Sequence, residues 1–176
     1  MTVHLRFARL FFVGFILAGC ASLDKDDRIL AGSTPVCAEG VDLGAIYVTL
    51  VTDWRANQKA PEERKQMAED VVNKALQELP CGDYKGFERA VAHTADTLIE
   101  ITVREFGPEL ILSAPVLWST NTDVDATIRV INARTRAEIF AASQRRKDGG
   151  AFAIKSLSAV PATFEDMLRE WLVGPS

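Results

Sequence analysis

Few side chains in this sequence could do acid–base or metal chemistry. His93 lies three residues before Asp96, a spacing at which a carboxylate could orient the imidazole of a hydrolase. No Gly-x-Ser-x-Gly motif supplies a nucleophile, and a zinc site needs more ligands than these two residues offer. Asp123 and Asp125 are two residues apart, so a strand would place both carboxylates on one face, where they could bind a divalent cation. A solvated strand face is the simpler interpretation, and we predict no enzyme, no metal and no cofactor.

A cysteine at the end of a short apolar segment indicates a different chemistry, lipid attachment. Arg6 and Arg9 precede an apolar run at 10–17, and two small residues lead directly to Cys20. This order is typical of a secretory signal, and the run is too short to span a bilayer. Leu17-Ala18-Gly19-Cys20 resembles the bacterial lipobox, which implies a signal peptide at 1–19 and lipidation of Cys20. The alternative is an ordinary signal peptide cut near Ala21.

The lipobox resemblance also implies a location. A lipoprotein cysteine is expected to carry three acyl chains, palmitate among them, and two or more chains anchor a protein stably. Ala21 and Ser22 follow Cys20, whereas in similar lipoproteins an aspartate directly after the cysteine favours retention in the inner membrane. We therefore expect a protein anchored in the outer membrane, on its periplasmic face.

Charge and length exclude some classes of partner. The 176 residues include 20 basic and 24 acidic side chains, for a net charge of −4 at pH 7. Residues 1–19 contain two of the arginines and no acid, so the mature chain has 18 basic and 24 acidic side chains, a net charge of −6. Such a chain is not expected to bind nucleic acid or to adhere electrostatically to anionic lipid. Membrane attachment would depend on the lipid anchor, and the mature length suits one domain.

Two cysteines remain after Cys20, and the elements around them favour a disulfide. Apolar alternation predicts a strand over 45–54, and apolar residues at three- and four-residue spacing predict a helix over 61–79. In a β-α-β unit the helix runs back antiparallel to the strand, so the strand start and helix end share one edge. Cys37 precedes the strand and Cys81 follows the helix, so an oxidising compartment would pair them. Two separate thiols are the alternative.

The rest of the pattern predicts a single mixed domain at 37–176. Residues 20–36, the lipidated cysteine and a polar stretch, are interpreted as a flexible tether. A helix with a capping-box start is predicted over 163–173. Further strands are predicted over 87–91, 97–106, 110–112, 123–130 and 138–144, with Gly107-Pro108 as a break. The expected class is α/β (α+β): a mixed sheet starting with a β-α-β unit, then an antiparallel meander and a closing C-terminal helix.

This order of elements resembles a broad group of small outer-membrane lipoproteins and their relatives. The resemblance is carried by the strand at 45–54 with its helix, and by a hairpin at 130–139 in which Arg136 stands for the usual glycine. The group includes the periplasmic domain of curli secretion-channel proteins, penicillin-binding-protein activator lipoproteins, the Pel polysaccharide export lipoprotein and the N-terminal domain of TolB. Its members are mainly non-enzymatic scaffolds, activators and ring-forming export components.

The resemblance implies a non-enzymatic assembly or accessory factor of the cell envelope. It would act through contacts with envelope proteins, with homo-oligomerisation as a further expectation. Trp118 is the candidate for an exposed contact because tryptophan is enriched at interfaces; the alternative is a loop residue folded onto the domain. Two other functions stay open: a module that binds envelope glycan or a small ligand, for which a deep apolar pocket beside Trp118 would speak, and a hydrolase centred on His93 and Asp96.

Overall fold

A computed structural model describes residues 26–31, 34–56, 58, 60–87, 94–113, 117–148 and 159–175. These residues form a mixed sheet with strand order β1-β6-β5-β4-β2-β3 and two helices. The strands are β1 (Asp26–Ala31), β2 (Ala45–Thr52), β3 (Asp83–Phe87), β4 (Thr97–Ser113), β5 (Leu117–Asn132) and β6 (Glu138–Asp148); the helices are α1 (Pro61–Gln77) and α2 (Ala159–Leu172). The predicted α+β class is confirmed. Among the described residues, no helix has the length and apolar character needed to cross a bilayer.

The β-α-β unit and the antiparallel meander are both present as predicted. β2 pairs in parallel with β3 on one side and with β4 on the other, while β4, β5 and β6 pair antiparallel. Pro61 suits the first turn of α1, because an N–H at that position would have no acceptor within the helix. Glu62 and Glu63 place negative charge at the positive end of the helix dipole. The described strand after α1 is Asp83–Phe87, and residues 88–91 of the strand predicted over 87–91 lie outside the described residues. The Asp83 N–H donates to the Gly44 carbonyl at 2.8 Å, which places the start of β3 beside β2.

Both helices pack on one face of the sheet. Alternate residues of the central strands are buried beneath the helices. The apolar residues of α1 and α2 that face the sheet are buried in the same core. Phe106 of β4 meets Phe164 of α2 edge to face, with ring centroids 5.6 Å apart. The sheet side of this core is Ile46, Val48, Ile99, Ile101, Val103, Val124, Ala126, Ile128 and Val130. A second, small cluster of Ala95, Leu98 and Ile131 lies apart from it.

The course of β4 and the start of α2 differ from those predicted. Gly107-Pro108 does not break β4, which runs without interruption to Ser113. Gly107 has a φ of 154°, which glycine adopts readily, and proline is tolerated at strand edges. α2 begins at Ala159 rather than Thr163, and the Thr163 hydroxyl donates to the Ala159 carbonyl at 3.1 Å instead of capping the helix.

Only part of the predicted tether at 20–36 lies within the described residues. Residues 26–31 form strand β1, which pairs antiparallel with β6 at the sheet edge. Backbone pairing at an edge needs no apolar periodicity, so no sequence pattern marks this strand. Nearer the domain, the N–H groups of Val36 and Cys37 donate to the carbonyls of Trp171 at 3.0 Å and Leu172 at 2.7 Å. The chain is therefore fixed to the end of α2 before β2 begins.

Candidate functional site

Cys37 and Cys81 form the predicted disulfide, with their Cα atoms 5.4 Å apart. The topology brings them together, because the start of β2 and the end of α1 share one edge of the layer. Backbone hydrogen bonds hold the same edge: the Leu43 N–H donates to the Cys81 carbonyl at 2.7 Å. The disulfide thus links the segment that leads in from the N-terminus to the β-α-β unit.

Six charged residues form a cluster on the sheet face opposite the helices. Its acidic members, Glu105, Asp123 and Asp125, are 6%, 1% and 7% exposed. Its basic members are Arg55, Arg104 and Arg145. We refer to these six residues as the carboxylate–arginine cluster.

Arginine side chains bridge the three carboxylates. Arg145 Nη2 donates to Glu105 Oε2 at 2.9 Å and to Asp123 Oδ2 at 3.2 Å. Arg55 Nη2 donates to Asp125 Oδ2 at 2.5 Å, and its Nε lies 3.5 Å from Glu105 Oε2. Arg104 Nη1 lies 3.8 Å from Asp125 Oδ1. Three positive and three negative charges thus balance, and charge-assisted hydrogen bonds of this kind offset the cost of burying carboxylates.

Strand register and one loop assemble this cluster. The pairing of β4 with β5 shifts between Val103 and Glu105, so that Glu105 lies opposite Asp125, which in turn lies opposite Arg145 of β6. The loop after β2 continues along β4, where the Arg55 N–H donates to the Arg104 carbonyl at 3.0 Å. This backbone bond brings the Arg55 side chain over the carboxylates.

The interpretation of Asp123 and Asp125 as a solvated strand face is wrong. Both are buried because arginines from the loop after β2 and from two other strands cover them, and none of these is a near neighbour in sequence. Asp123 Oδ1 and Arg145 Nε are buried without a hydrogen-bond partner among the described residues. In the part of the chain that the structure describes, no three His, Cys, Asp or Glu side chains are placed to hold a metal ion.

The other predicted site residues do not join this cluster. Asp96 holds the start of β2 and the β5–β6 turn, since its Oδ2 accepts from the Ala45 N–H at 3.1 Å and its Oδ1 from Arg134 Nη2 at 2.7 Å. These two hydrogen bonds, the backbone one first, lower the pKa of Asp96. Trp118 pairs through its backbone with Leu112 in the β4–β5 hairpin, and its side chain lies outside the described set. His93 and Cys20 also lie outside the described residues.

The β5–β6 turn forms with an arginine at the position where the resembled group has glycine. Asn132 Oδ1 accepts hydrogen bonds from the N–H groups of Arg134 at 3.1 Å and Thr135 at 2.9 Å. Arg136, at the position of the usual glycine, adopts a left-handed φ of 61°. The turn therefore forms at the cost of modest backbone strain.

Sequence reasoning missed a buried arginine in the first turn of α1. Arg64 is only 8% exposed, and its Nε and Nη1 are buried with no hydrogen-bond partner in the described ranges. Its guanidinium lies against Gly107, where a Cβ would be 3.2 Å from Arg64 Cζ. Burial lowers the pKa of Arg64. The sequence contains a signal for this burial, since Arg64 lies on the same helical stripe as the apolar residues Ala68 and Val71.

A shallow groove of about 330 Å³ lies between the C-terminal ends of α1 and α2. Its lining is partly apolar, from Ala75, Pro80, Leu172, Val173, Gly174 and Pro175, and partly charged, from Glu78, Glu165 and Arg169. Lys74 Nζ donates to Glu165 at 2.8 Å across the helix pair, which lowers the pKa of Glu165. The side chain of Trp118, beside which a deep apolar pocket would favour a glycan or ligand module, lies outside the described set.

Together these features define the class of protein by its fold: a six-stranded mixed sheet with two helices on one face and a paired charge cluster on the other. Comparison with protein-family models and with curated proteins found no match.

Among solved structures, two of the PelC dodecamer from Paraburkholderia phytofirmans share this fold. A point variant of that PelC matches with a TM-score of 0.54 at 12% identity, over 86% of this chain and 99% of PelC. The second PelC structure matches with a TM-score of 0.51 at 14% identity, over 80% of this chain and 95% of PelC. A lipoprotein from Neisseria meningitidis, GNA1162, matches at 0.43 with 15% identity, over 73% and 99% of the two chains. At these identities the likeness is one of fold.

Proposed function

We propose that this chain is a lipid-anchored accessory protein of the cell envelope that works as a homo-oligomer and through contacts with envelope proteins. The observation that carries the proposal is the match to PelC. It extends over 86% of this chain and 99% of a protein whose structure is a dodecamer. A match over nearly the whole of both chains means that no large part of that assembling fold is missing here.

The charge cluster supports a binding role rather than catalysis. Each of its three carboxylates has an arginine within 4 Å, so these three acids are held by arginine partners. A catalytic carboxylate needs a path to its substrate and a proton to exchange with it. These residues instead make a rigid, neutralised sheet face.

The path of the N-terminal segment supports anchoring through Cys20. The N–H groups of Val36 and Cys37 bind the end of α2, and the disulfide fixes Cys37 to the end of α1. A lipid on Cys20 would therefore hold the domain at a defined point on its surface. In this proposal the lipid lies in the outer membrane and the domain faces the periplasm.

Native mass measurement tests the oligomer. The full chain would be expressed in a Gram-negative host, extracted in mild detergent and weighed by light scattering over a hundredfold range of concentration. The proposal predicts a constant mass of several copies. A single copy at every concentration would contradict it.

Metabolic labelling tests the anchor. Cells fed radiolabelled palmitate should label the wild-type protein and leave Cys20→Ser unlabelled, and only the wild type should fractionate with outer membranes. Cys37→Ser is the matched control, since it removes a different thiol and should keep the label. Equal labelling of Cys20→Ser would contradict lipidation at this cysteine.

A further inference from the structure

Within the part of the chain that the structure describes, the β4–β5 hairpin is longer than the sheet that supports it. β2 pairs with β4 only as far as Thr52 opposite Val103, and β6 pairs with β5 only as far as Asp148 opposite Thr122. The hairpin continues from Pro108 opposite Thr122 through five further pairs to Ser113 opposite Leu117. We call residues 108–113 and 117–122 the hairpin arm. At about 3.4 Å per residue, the arm extends roughly 17 Å past the end of β6.

Pro108 ends the hydrogen bonding along the outer edge of β4. The Gln58 side chain extends the loop after β2 by accepting from the Phe106 N–H and donating to the Phe106 carbonyl, both at 3.1 Å. Alternate residues of a strand present their backbone groups to the same side, so the next outward positions are Pro108, Leu110 and Leu112. Pro108 has no N–H and cannot continue this pairing. Beyond it, no strand among the described residues pairs with the outer side of Leu110 and Leu112.

A two-stranded ribbon of this kind is marginally stable in water and offers its edges to other strands. The other outer edge of the sheet on this side, β3, is protected. β3 has only five residues, its pairing with β2 shifts in register, and it carries the ion pair of Lys85 with Asp83. Short, irregular and charged edges resist pairing with other chains. From Pro108 onward the arm pairs over six residue pairs without a register shift, and its two strands carry a single charge, at Glu109.

The charge of the arm indicates what binds it. Glu109 is the one charged residue in its two strands, whereas 25% of the whole chain is charged. The chain is acidic, with a net charge of −4, so two copies repel each other across most of their surfaces. A charge-poor arm is a surface on which like-charged copies can approach without that repulsion.

We propose that the hairpin arm is a self-association surface and that its occupant is a second copy of this chain. The arm packs against a neighbouring copy, and the backbone at Leu110 and Leu112 adds to the neighbour's sheet. This inference rests on the proposed homo-oligomer and names the surface that forms it.

Matched charge substitutions test the arm. Leu112→Lys adds a charge to the arm, and Ile139→Lys adds the same charge to an apolar residue of β6 that is 49% exposed and lies outside the arm. Both full-length variants and the wild type are weighed by light scattering in mild detergent. The expected result is an assembled wild type, an assembled Ile139→Lys, and a Leu112→Lys that associates at least tenfold more weakly.

The outcomes separate this inference from the function on which it rests. A wild type that is a single copy at all concentrations overturns the proposed oligomer. An assembled wild type with an equally assembled, folded Leu112→Lys overturns the arm alone.

A second variant covers loss of folding in Leu112→Lys. Replacing residues 109–121 with Asn-Gly joins Pro108 to Thr122 through a two-residue turn and removes the arm while keeping the sheet. A shortened protein that melts cooperatively and is a single copy supports the inference. A shortened protein that assembles like the wild type overturns it. If the Cys20→Ala chain floats with phosphatidylethanolamine–phosphatidylglycerol vesicles, and the shortened Cys20→Ala chain assembles normally but does not float, the inference is also overturned, because the arm would then bind a lipid surface.

Discussion

Breaking the Cys37–Cys81 disulfide should cost about 4 kcal/mol of folding stability. The two cysteines are 44 residues apart in sequence, so the bond removes the freedom of a long loop in the unfolded chain. The chain-entropy relation gives roughly 4 kcal/mol at 25 °C for a loop of this size. In the folded state the bond joins segments that backbone hydrogen bonds already hold, because the Leu43 N–H donates to the Cys81 carbonyl at 2.7 Å. The effect should therefore arise in the unfolded state, leaving the fold unchanged.

Urea unfolding measures this directly. The full chain with Cys20→Ala, in which Cys37 and Cys81 are the remaining cysteines, is compared with the same chain carrying Cys37→Ala and Cys81→Ala. With a slope of about 2 kcal/mol per molar, the midpoint should fall by roughly 2 M urea. Added reductant should lower the midpoint of the first protein to that of the second and leave the second unchanged.

A small effect would refute the reasoning. If alkylation shows no free thiols in the starting protein and the midpoint still falls by less than about 0.5 M, the loop is already restricted in the unfolded chain. Amide hydrogen exchange provides a second test of the disulfide's effect. The Val36 and Cys37 amides, bonded to the end of α2, should lose protection first when the disulfide is absent.

Three further substitutions test other parts of the structure. Asp125→Ala should lower the free energy of unfolding by about 1.5–3 kcal/mol in urea titrations, because it removes the charge-assisted hydrogen bond from Arg55 to a buried carboxylate; a loss under about 1 kcal/mol would mean the cluster is solvated. Gly107→Ala should destabilise more than Gly86→Ala, since both glycines have positive φ but only at Gly107 would a Cβ meet a neighbour, the buried guanidinium 3.2 Å away; equal melting temperatures would contradict that contact. The pKa of Glu165 is lowered, first by its hydrogen bond from lysine, so its contribution is present above the unfolded pKa and is lost as pH falls through the folded one. Glu165→Gln should therefore lose less stability than the wild type between about pH 5 and pH 3 in urea titrations, and equal losses in the two proteins would contradict the ion pair with Lys74.

Elements with strong local patterns could be predicted from the sequence. β2 and α1 carry apolar alternation and helical spacing, and the disulfide followed from where Cys37 and Cys81 lie relative to them. The β5–β6 turn was signalled by Asn132, whose side chain accepts two backbone hydrogen bonds. In each case the information lies within a few residues of the element that it specifies.

The rest depends on long-range pairing that no local pattern records. Asp123 and Asp125 lie on an alternating strand that looks half-solvated, and they are buried by arginines from the loop after β2 and from β4 and β6. Residues 26–31 form a strand because the edge of β6 accepts their backbone, not because their side chains alternate. The length of β4 was likewise hidden, since Gly107-Pro108 ends its pairing with the loop after β2 but not its pairing with β5.

The central claim is that this protein is a lipid-anchored homo-oligomer, and native mass spectrometry of the protein released from detergent micelles tests it most directly. The account predicts one assembly of several identical copies. Each copy would begin at Cys20 and carry the added mass of three acyl chains. A single copy with an unmodified Cys20 would contradict both the assembly and the anchor.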